Sequence, residues 1–395
     1  MWQACNNDEG HKLIFLDVGY DNLDGKEFVK EQKYKNIEFF RHNYNQYKKS
    51  KSIFIVCLVE FGCEWLIPHY LLPKIAKAHK DKNIIVVGWY GREFLYKHLV
   101  DEFWELSDKY MSLRETTRAL HHHSKTIKKL EIYLKKFGDV VPSSILGSML
   151  VQAKCASCNK SFGSRDKKQS CPFCDSKKIL QSFFSSPEIA IKDYLPLPKP
   201  SVDAVIWANK TKIDNMVGIF ARSRKSYGRN LDTNFYIELI NNLQKQGYNP
   251  VWFGEKESVH KCPVDGILDL TCVSEARKLS YIISLLKHCV FTIQFWTAST
   301  RLSLEANCPF ILVESPDQLY GAGQEGIRLK LLNRKQTKNK IILCNYKKVC
   351  NNLSEFNSII MDGISELKKD DTSVKIGLVD DCDYVNSIIE KSQNE

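Results

Sequence analysis

Short runs of apolar and β-branched residues recur through the first half of the chain, each stopping at a glycine turn or a carboxylate. They are KLIFLD (12–17), SIFIVCLVE (52–60) and NIIVVG (83–88). Between them lie longer stretches of mixed charge with helical spacing, such as PHYLLPKIAKAH at 68–79. Strand, turn and helix in alternation predict a parallel sheet covered on both faces. Residues 107–150 read as helical and polar, and DEFWEL, with Asp101, Glu102 and Glu105, reads as a helix face. YLPLPKPSVD (194–203) carries three prolines and is the linker candidate. Beyond it the alternation resumes, with strands in MVGIFAR, NPVWFGE, VFTIQ and PFILVES. Helices are expected in NFYIELINNLQKQG, in SEARKLSYIISLLKHC and from Thr300 to Ala306. The basic segment NRKQTKNK (333–340) reads as a loop.

A chain of 395 residues exceeds one comfortable core. The fold class expected is α/β, with two doubly wound Rossmann-like domains facing a cleft and a small insertion. The boundaries are 1–150 for the first domain, 151–180 for the insertion, 181–203 for the linker, 204–365 for the second domain and 366–395 for a helical tail. Ligands of such domains bind outside the carboxyl ends of the strands.

The insertion holds two Cys-x-x-Cys pairs, Cys155/Cys158 and Cys171/Cys174, twelve residues apart. Four thiolates at this spacing satisfy a tetrahedral Zn²⁺ completely and leave no open position for water. The zinc is therefore expected to be structural. From Lys154 to Lys178, seven basic residues face two acids, with Phe162 and Phe173 interleaved. Lys160, Arg165, Lys167 and Lys168 are the candidate contacts to a nucleic-acid backbone; the alternative is a metal staple that rigidifies the insertion. The other ten cysteines are scattered, several within apolar runs, and read as reduced thiols of a cytoplasmic protein. The net charge of +11 fits a polyanionic partner or a bias towards lysine. No apolar run is long enough to span a bilayer, and no export signal is expected. The triplet His121–His123 reads as a solvated helix face.

In GIFARSRKSYGRN (218–230) an apolar strand runs into Arg222, Arg224, Lys225 and Arg229. Guanidinium groups gathered at a strand mouth suit bidentate contact with an anion such as a diphosphate. Glu255, after Gly254, stands where a carboxylate can take ribose hydroxyls. Thr297, Ser299 and Thr300 stand where a strand hands over to a helix, whose free amides favour phosphate. The alternatives are a solvated basic turn and an ordinary helix cap.

These pieces, in this order, resemble the donor-binding domain of GT-B glycosyltransferases similar to heptosyltransferases. The likeness covers roughly 215–330 and includes an F-G-x-E-type turn at Phe253–Gly254–Glu255 and the D-L-T segment Asp269–Leu270–Thr271. The chain departs from that group's usual Asp-Ser/Thr-Gly loop, carrying Trp296–Thr297–Ala298–Ser299–Thr300 instead. The resemblance implies a hexosyl- or pentosyltransferase with metal-independent chemistry and a nucleotide-diphospho-sugar donor, a UDP-sugar being favoured.

In the first domain, Glu60–Phe61–Gly62–Cys63–Glu64 looks like the E-F-G-x-E loop of some GT-B enzymes. An inverting transfer needs a carboxylate to accept the acceptor's proton, with Glu60 the first choice and Glu64 the second. Gly88 to Arg92 resembles the G-x-x-G-R segment of the same proteins, so Arg92 is expected to hold substrate phosphate or orient a carboxylate. The basic ribbon favours a nucleic-acid acceptor, DNA above all, in analogy with the often viral enzymes that glycosylate hydroxymethylated pyrimidines. The rivals are a surface polysaccharide or lipopolysaccharide acceptor, and a non-catalytic nucleic-acid-binding protein on a degenerate scaffold.

Overall fold

The computed structural model describes residues 2–6, 12–16, 51–58, 64, 72–106, 130–132, 134–135, 137–143, 151–155, 157–158, 161–163, 174, 176–177, 179–183, 197–223, 230–256, 258–295, 298–314, 339–343, 353–367 and 375–378. The chain divides into two units, Met1–Pro198 and Lys199–Glu395, and the break falls inside the proline-rich segment.

Among the described residues, the main sheet of the first unit has six strands, β1 (Trp2–Asn6), β2 (Lys12–Leu16), β3 (Ser52–Cys57), β4 (Asn83–Gly88), β5 (Glu102–Leu106) and β6 (Gly138–Val141). Their order is β1-β2-β5-β4-β3-β6, with β1 antiparallel to β2 and the remaining pairs parallel. Every residue of β3 is buried, as a central parallel strand with both faces covered requires. Phe54, Val56, Ile85, Val87 and Trp104 form one face of the core with Leu130, Leu134 and Phe137. Helices α1 (Leu72–Ala78) and α2 (Glu93–Tyr96) follow β3 and β4.

Two expectations are corrected here. DEFWEL is not a helix but β5, because Phe103 and Trp104 belong to a strand whose neighbours β4 and β2 pair with it on both sides. The stretch read as wholly helical, 107–150, contains β6, which lies beside β3.

A separate antiparallel sheet, β8-β7-β9, is made from β7 (Val151–Cys155), β8 (Ser161–Gly163) and β9 (Ile179–Phe183).

Among the described residues the second unit carries seven parallel strands: β10 (Met216–Phe220), β11 (Asn249–Phe253), β12 (Leu268–Asp269), β13 (Phe291–Phe295), β14 (Phe310–Glu314), β15 (Asn339–Leu343) and β16 (Lys375–Leu378). Their order is β12-β11-β10-β13-β14-β15-β16. This is the doubly wound, Rossmann-like arrangement, so the α/β class holds for both units. β15 begins inside the basic segment read as a loop, and β16 falls within the span read as a helical tail. Both are short strands that gain their stability by pairing with a neighbour, a contact local periodicity does not encode.

The α-helices among the described residues of the second unit are α3 (Val202–Thr211), α4 (Thr233–Lys245), α5 (Leu279–Leu286), α6 (Ala298–Ala306) and α7 (Leu353–Leu367). Asp232 caps α4 by accepting from the Asn234 amide. The helix ends in a Schellman motif, Tyr248 N–H to the Leu243 carbonyl and Gly247 N–H to Gln244, with Gly247 left-handed. Its buried residues Phe235, Tyr236, Leu239, Ile240 and Leu243 share one core with α7 and with Phe291, Ile293 and Phe295 of β13. The alternate residues of β13 face the other way, where Thr292 and Gln294 hydrogen-bond to Ser303 of α6.

Candidate functional site

In the second sheet the winding reverses at β10, from which β11 and β12 extend to one side and β13 to β16 to the other. The crevice outside the carboxyl ends of β10 and β13 is therefore the topological switch point. β10 leads directly into Arg222, and α6 begins three residues after β13 ends. Two of the sequence-derived donor segments thus belong to neighbouring strands at the place where such folds bind ligands.

The individual residues differ. Arg222 is almost buried, and its backbone forms an antiparallel bridge with Val259. That bridge is closed by Ser223 N–H to the Ser258 carbonyl and His260 N–H to Ala221. The Arg222 charge lies close enough to Tyr236, at the start of α4, to act on its phenol, whose pKa burial pushes far up. Glu255 is half-buried and follows Gly254, whose φ of +136° belongs to glycine. A Cβ on Gly254 would also overlap a Val259 methyl. Gly254→Ala is expected to cost about 1–3 kcal/mol, read as a lower denaturation midpoint of the second unit. An unchanged midpoint would mean that the turn relaxes freely.

Ser299 is buried, and Thr300 is fully buried with its hydroxyl donating to the Phe295 carbonyl. Thr300 thus ties the start of α6 to the end of β13. Asp269 accepts from both the amide and the hydroxyl of Thr271 at 2.9 and 2.6 Å, closing a local turn after β12. Arg224, Arg229 and Thr297 lie outside the described residues, as do Lys225 and Gly228.

Of the two candidate bases in the first unit, Glu64 is described, and Glu60 lies outside the described residues. Glu64 is fully buried and pairs with the equally buried Arg92, Oε2 to Nε at 3.4 Å. Tyr96 donates to Glu64 Oε1 at 3.2 Å and also meets the Cys57 thiol at the end of β3. Burial, followed by the Glu64 charge, pushes the pKa of both Tyr96 and Cys57 well above their ordinary values. Neither phenol nor thiol is therefore ionised near neutrality. Glu105, on β5, accepts a hydrogen bond from the Gly91 amide beside the cluster.

The cysteine cluster is the best-defined constellation. Sγ atoms of Cys155, Cys158 and Cys174 lie within 4.8 Å of one another, and Cys155 and Cys174 are 3.5 Å apart. Tetrahedral thiolates at about 2.3 Å from Zn²⁺ stand roughly 3.8 Å apart, so the three sulfurs fit such an ion. The Ser157 amide donates to Cys155 Sγ at 3.3 Å, an arrangement that favours thiolate. The Ser157 and Ser176 hydroxyls, each two residues past a cysteine of the cluster, are 2.7 Å apart and join the two knuckles. Cys171, Lys160, Arg165, Lys167 and Lys168 lie outside the described residues, and so do His121–His123.

No protein-family model and no curated protein matches the chain. Among solved structures it is similar to Escherichia coli ADP-heptose LPS heptosyltransferase II, with a TM-score of 0.45 and 11% identity over 80% of this chain and 98% of that one. It is similar also to the glycosyl transferase family 9 protein of Veillonella parvula DSM 2008, with a TM-score of 0.44, 11% identity, and 80% and 97% covered. The wall teichoic acid polymerase TagF gives a TM-score of 0.29 at 11% identity, with 94% of this chain and 99% of that one covered. At this level of similarity the likenesses transfer no activity.

Three residues of these clusters escape a sequence reading. Tyr96 stands four positions after Arg92 and could have been paired with it at helical spacing. Tyr236 and His260 carry no such signal. The His260 amide donates to the Ala221 carbonyl beside the bridge, its ring lies 5.6 Å from that of Tyr236, and its carbonyl accepts from the Trp252 indole at 2.8 Å. Burial lowers its pKa, against a hydrogen bond to the Leu231 backbone and the Asp232 charge.

Proposed function

We propose that this protein is a glycosyltransferase that moves a sugar from a nucleotide-diphospho-sugar to an acceptor hydroxyl. The observation that carries the reading is the switch point of the second sheet, where Arg222 and the start of α6 follow adjacent strands. In this reading Arg222, Arg224 and Arg229 neutralise the diphosphate, assisted by amides and hydroxyls of Thr297–Thr300. Glu255 takes the ribose. Because the Thr300 hydroxyl is engaged by Phe295, its contribution is to hold the helix start in place.

Glu60 is the general base. Its carboxylate takes the proton of the acceptor hydroxyl as the new O–C1 bond forms. The C1–O bond to the diphosphate breaks, and the nucleoside diphosphate leaves with the electron pair. Glu64, buried against Arg92 and Tyr96, is the weaker candidate for this role. It serves instead to fix the segment that carries Glu60.

Cys155, Cys158, Cys171 and Cys174 hold a structural Zn²⁺, which ties the knuckles together and takes no part in transfer. The basic residues Lys160, Arg165, Lys167 and Lys168 favour a nucleic-acid acceptor, with DNA the first to test.

The test is thermal stabilisation by nucleoside diphosphates and UDP-sugars, since a ligand binding the folded state at 100 times its Kd adds about 2.7 kcal/mol. A selective rise in Tm that Arg222→Ala abolishes is expected. No rise with any of them would exclude the donor site. Separately, DNA binding should weaken steeply with salt and with Lys160, Arg165, Lys167 and Lys168 all changed to alanine; salt-insensitive or absent binding would direct the search to glycan acceptors.

A further inference from the structure

Helix α3 is turned in an unusual way. Its buried positions are Ala204 and Ala208, so it lies on the second unit through its smallest side chains, against α5. The branched aliphatic residues point out, with Val202 74%, Val205 44% and Ile206 47% exposed. At 100° per residue these three cluster about the helix face opposite the alanines. The ordinary surface helix has the reverse polarity.

The surroundings of this ridge say what covers it. Just past the helix, Ile213 is 39% exposed, and Val290, whose amide bonds to the Met216 carbonyl, is 43% exposed. Lys199, Lys210, Lys212 and Lys287 are exposed around these positions, and Lys212 and Lys287 both act on His288. The exposed acids on the same segment are Asp203 and Asp214. At one flank, half-buried Trp207 packs on Tyr281 with ring centroids 5.7 Å apart, and the Lys278 ammonium sits 5.3 Å over the Tyr281 ring.

An aliphatic ridge bordered by lysines and flanked by Trp and Tyr is the composition of an interfacial anchor. Aliphatics enter the acyl boundary, aromatic rings sit at headgroup level, and ammonium groups meet anionic headgroups. A ridge one helix wide is also narrow for a stable protein–protein interface, which buries roughly 1,200–2,000 Å² in all. No helix among the described residues is long and apolar enough to cross a membrane.

We propose that α3 docks this protein on an anionic lipid surface, through Val202, Val205 and Ile206 with the surrounding lysines. This stands independently of the glycosyl-transfer reading.

The test is flotation of the full-length, metal-loaded protein with phosphatidylcholine vesicles made with and without phosphatidylglycerol. The variant is Val202→Ser, Val205→Ser and Ile206→Ser combined, which leaves the buried alanines in place. Binding is expected only with phosphatidylglycerol, weakened by salt and lowered about tenfold by the triple change. A second variant, Lys210→Gln with Lys212→Gln, should weaken binding without any change in Tm. Equal flotation of wild type and triple variant would overturn the proposal, as would absence of flotation. A concentration-dependent dimer in sedimentation that the triple change dissociates would also overturn it, assigning the ridge to a second copy of the chain.

Discussion

Arg92→Met will destabilise the first unit by about 3–5 kcal/mol, the cost of leaving one member of a buried ion pair without its countercharge. Glu64 is fully buried and Arg92 virtually so, and no solvent can screen the charge left behind. The Tyr96 hydrogen bond to Glu64 remains but supplies no positive charge. The double replacement Glu64→Leu with Arg92→Met will recover most of the loss, because it removes both desolvated charges together. Denaturant unfolding of Glu64→Leu, Arg92→Met and the double variant, followed by tryptophan fluorescence, measures the coupling. A loss under 1 kcal/mol for Arg92→Met would show that water reaches the pair. If the double variant is stable but catalytically silent, the pair holds the Glu60 segment; if it is fully active, the pair is a packing feature alone.

Removal of the zinc proposed for the cysteine cluster should have a comparably large local effect. Structural zinc sites bind with apparent free energies of about 10–16 kcal/mol near neutral pH, and that energy is folding energy for the small sheet around them. Cys155→Ser deletes the most buried of the clustered thiols and the acceptor of the Ser157 amide. The variant should purify with no bound zinc where the wild type carries one equivalent by elemental analysis. Protease cleavage within 151–183 should become rapid, while the Tm of the second unit stays unchanged. Retention of a full equivalent by Cys155→Ser would place the metal elsewhere.

Much of the architecture was legible because its signal is local. The all-apolar run at β3 and the amphipathic pattern of α4 each announce themselves within one element, as do the paired Cys-x-x-Cys spacings. The misses share one cause. β5 carries charged residues and two aromatics, which local spacing reads as a helix face; it is a strand because β4 and β2 flank it. β15 and β16 are likewise defined by pairing across the sheet. At the candidate site, Arg92 was expected to hold substrate phosphate or to orient a carboxylate, and the structure pairs it with the carboxylate of Glu64. Residue type and spacing named both partners but not their mutual burial, which depends on contacts between segments distant in sequence. Thr300 shows the same limit, since a hydroxyl at a helix start can serve a ligand or its own backbone.

The strand order of the second sheet also bears on synthesis. Its centre, β10 beside β11 and β13, is made from residues 216–295, whereas the β15–β16 side is completed only by residue 378. During translation at about 5–20 residues per second, the central strands emerge several seconds before their outer neighbours. For that interval β14 has an open edge, rich in phenylalanine, isoleucine, leucine and valine, of the kind that pairs with other chains. The nascent protein is then at its most aggregation-prone, and slow codons between β14 and β15 would lengthen the exposure.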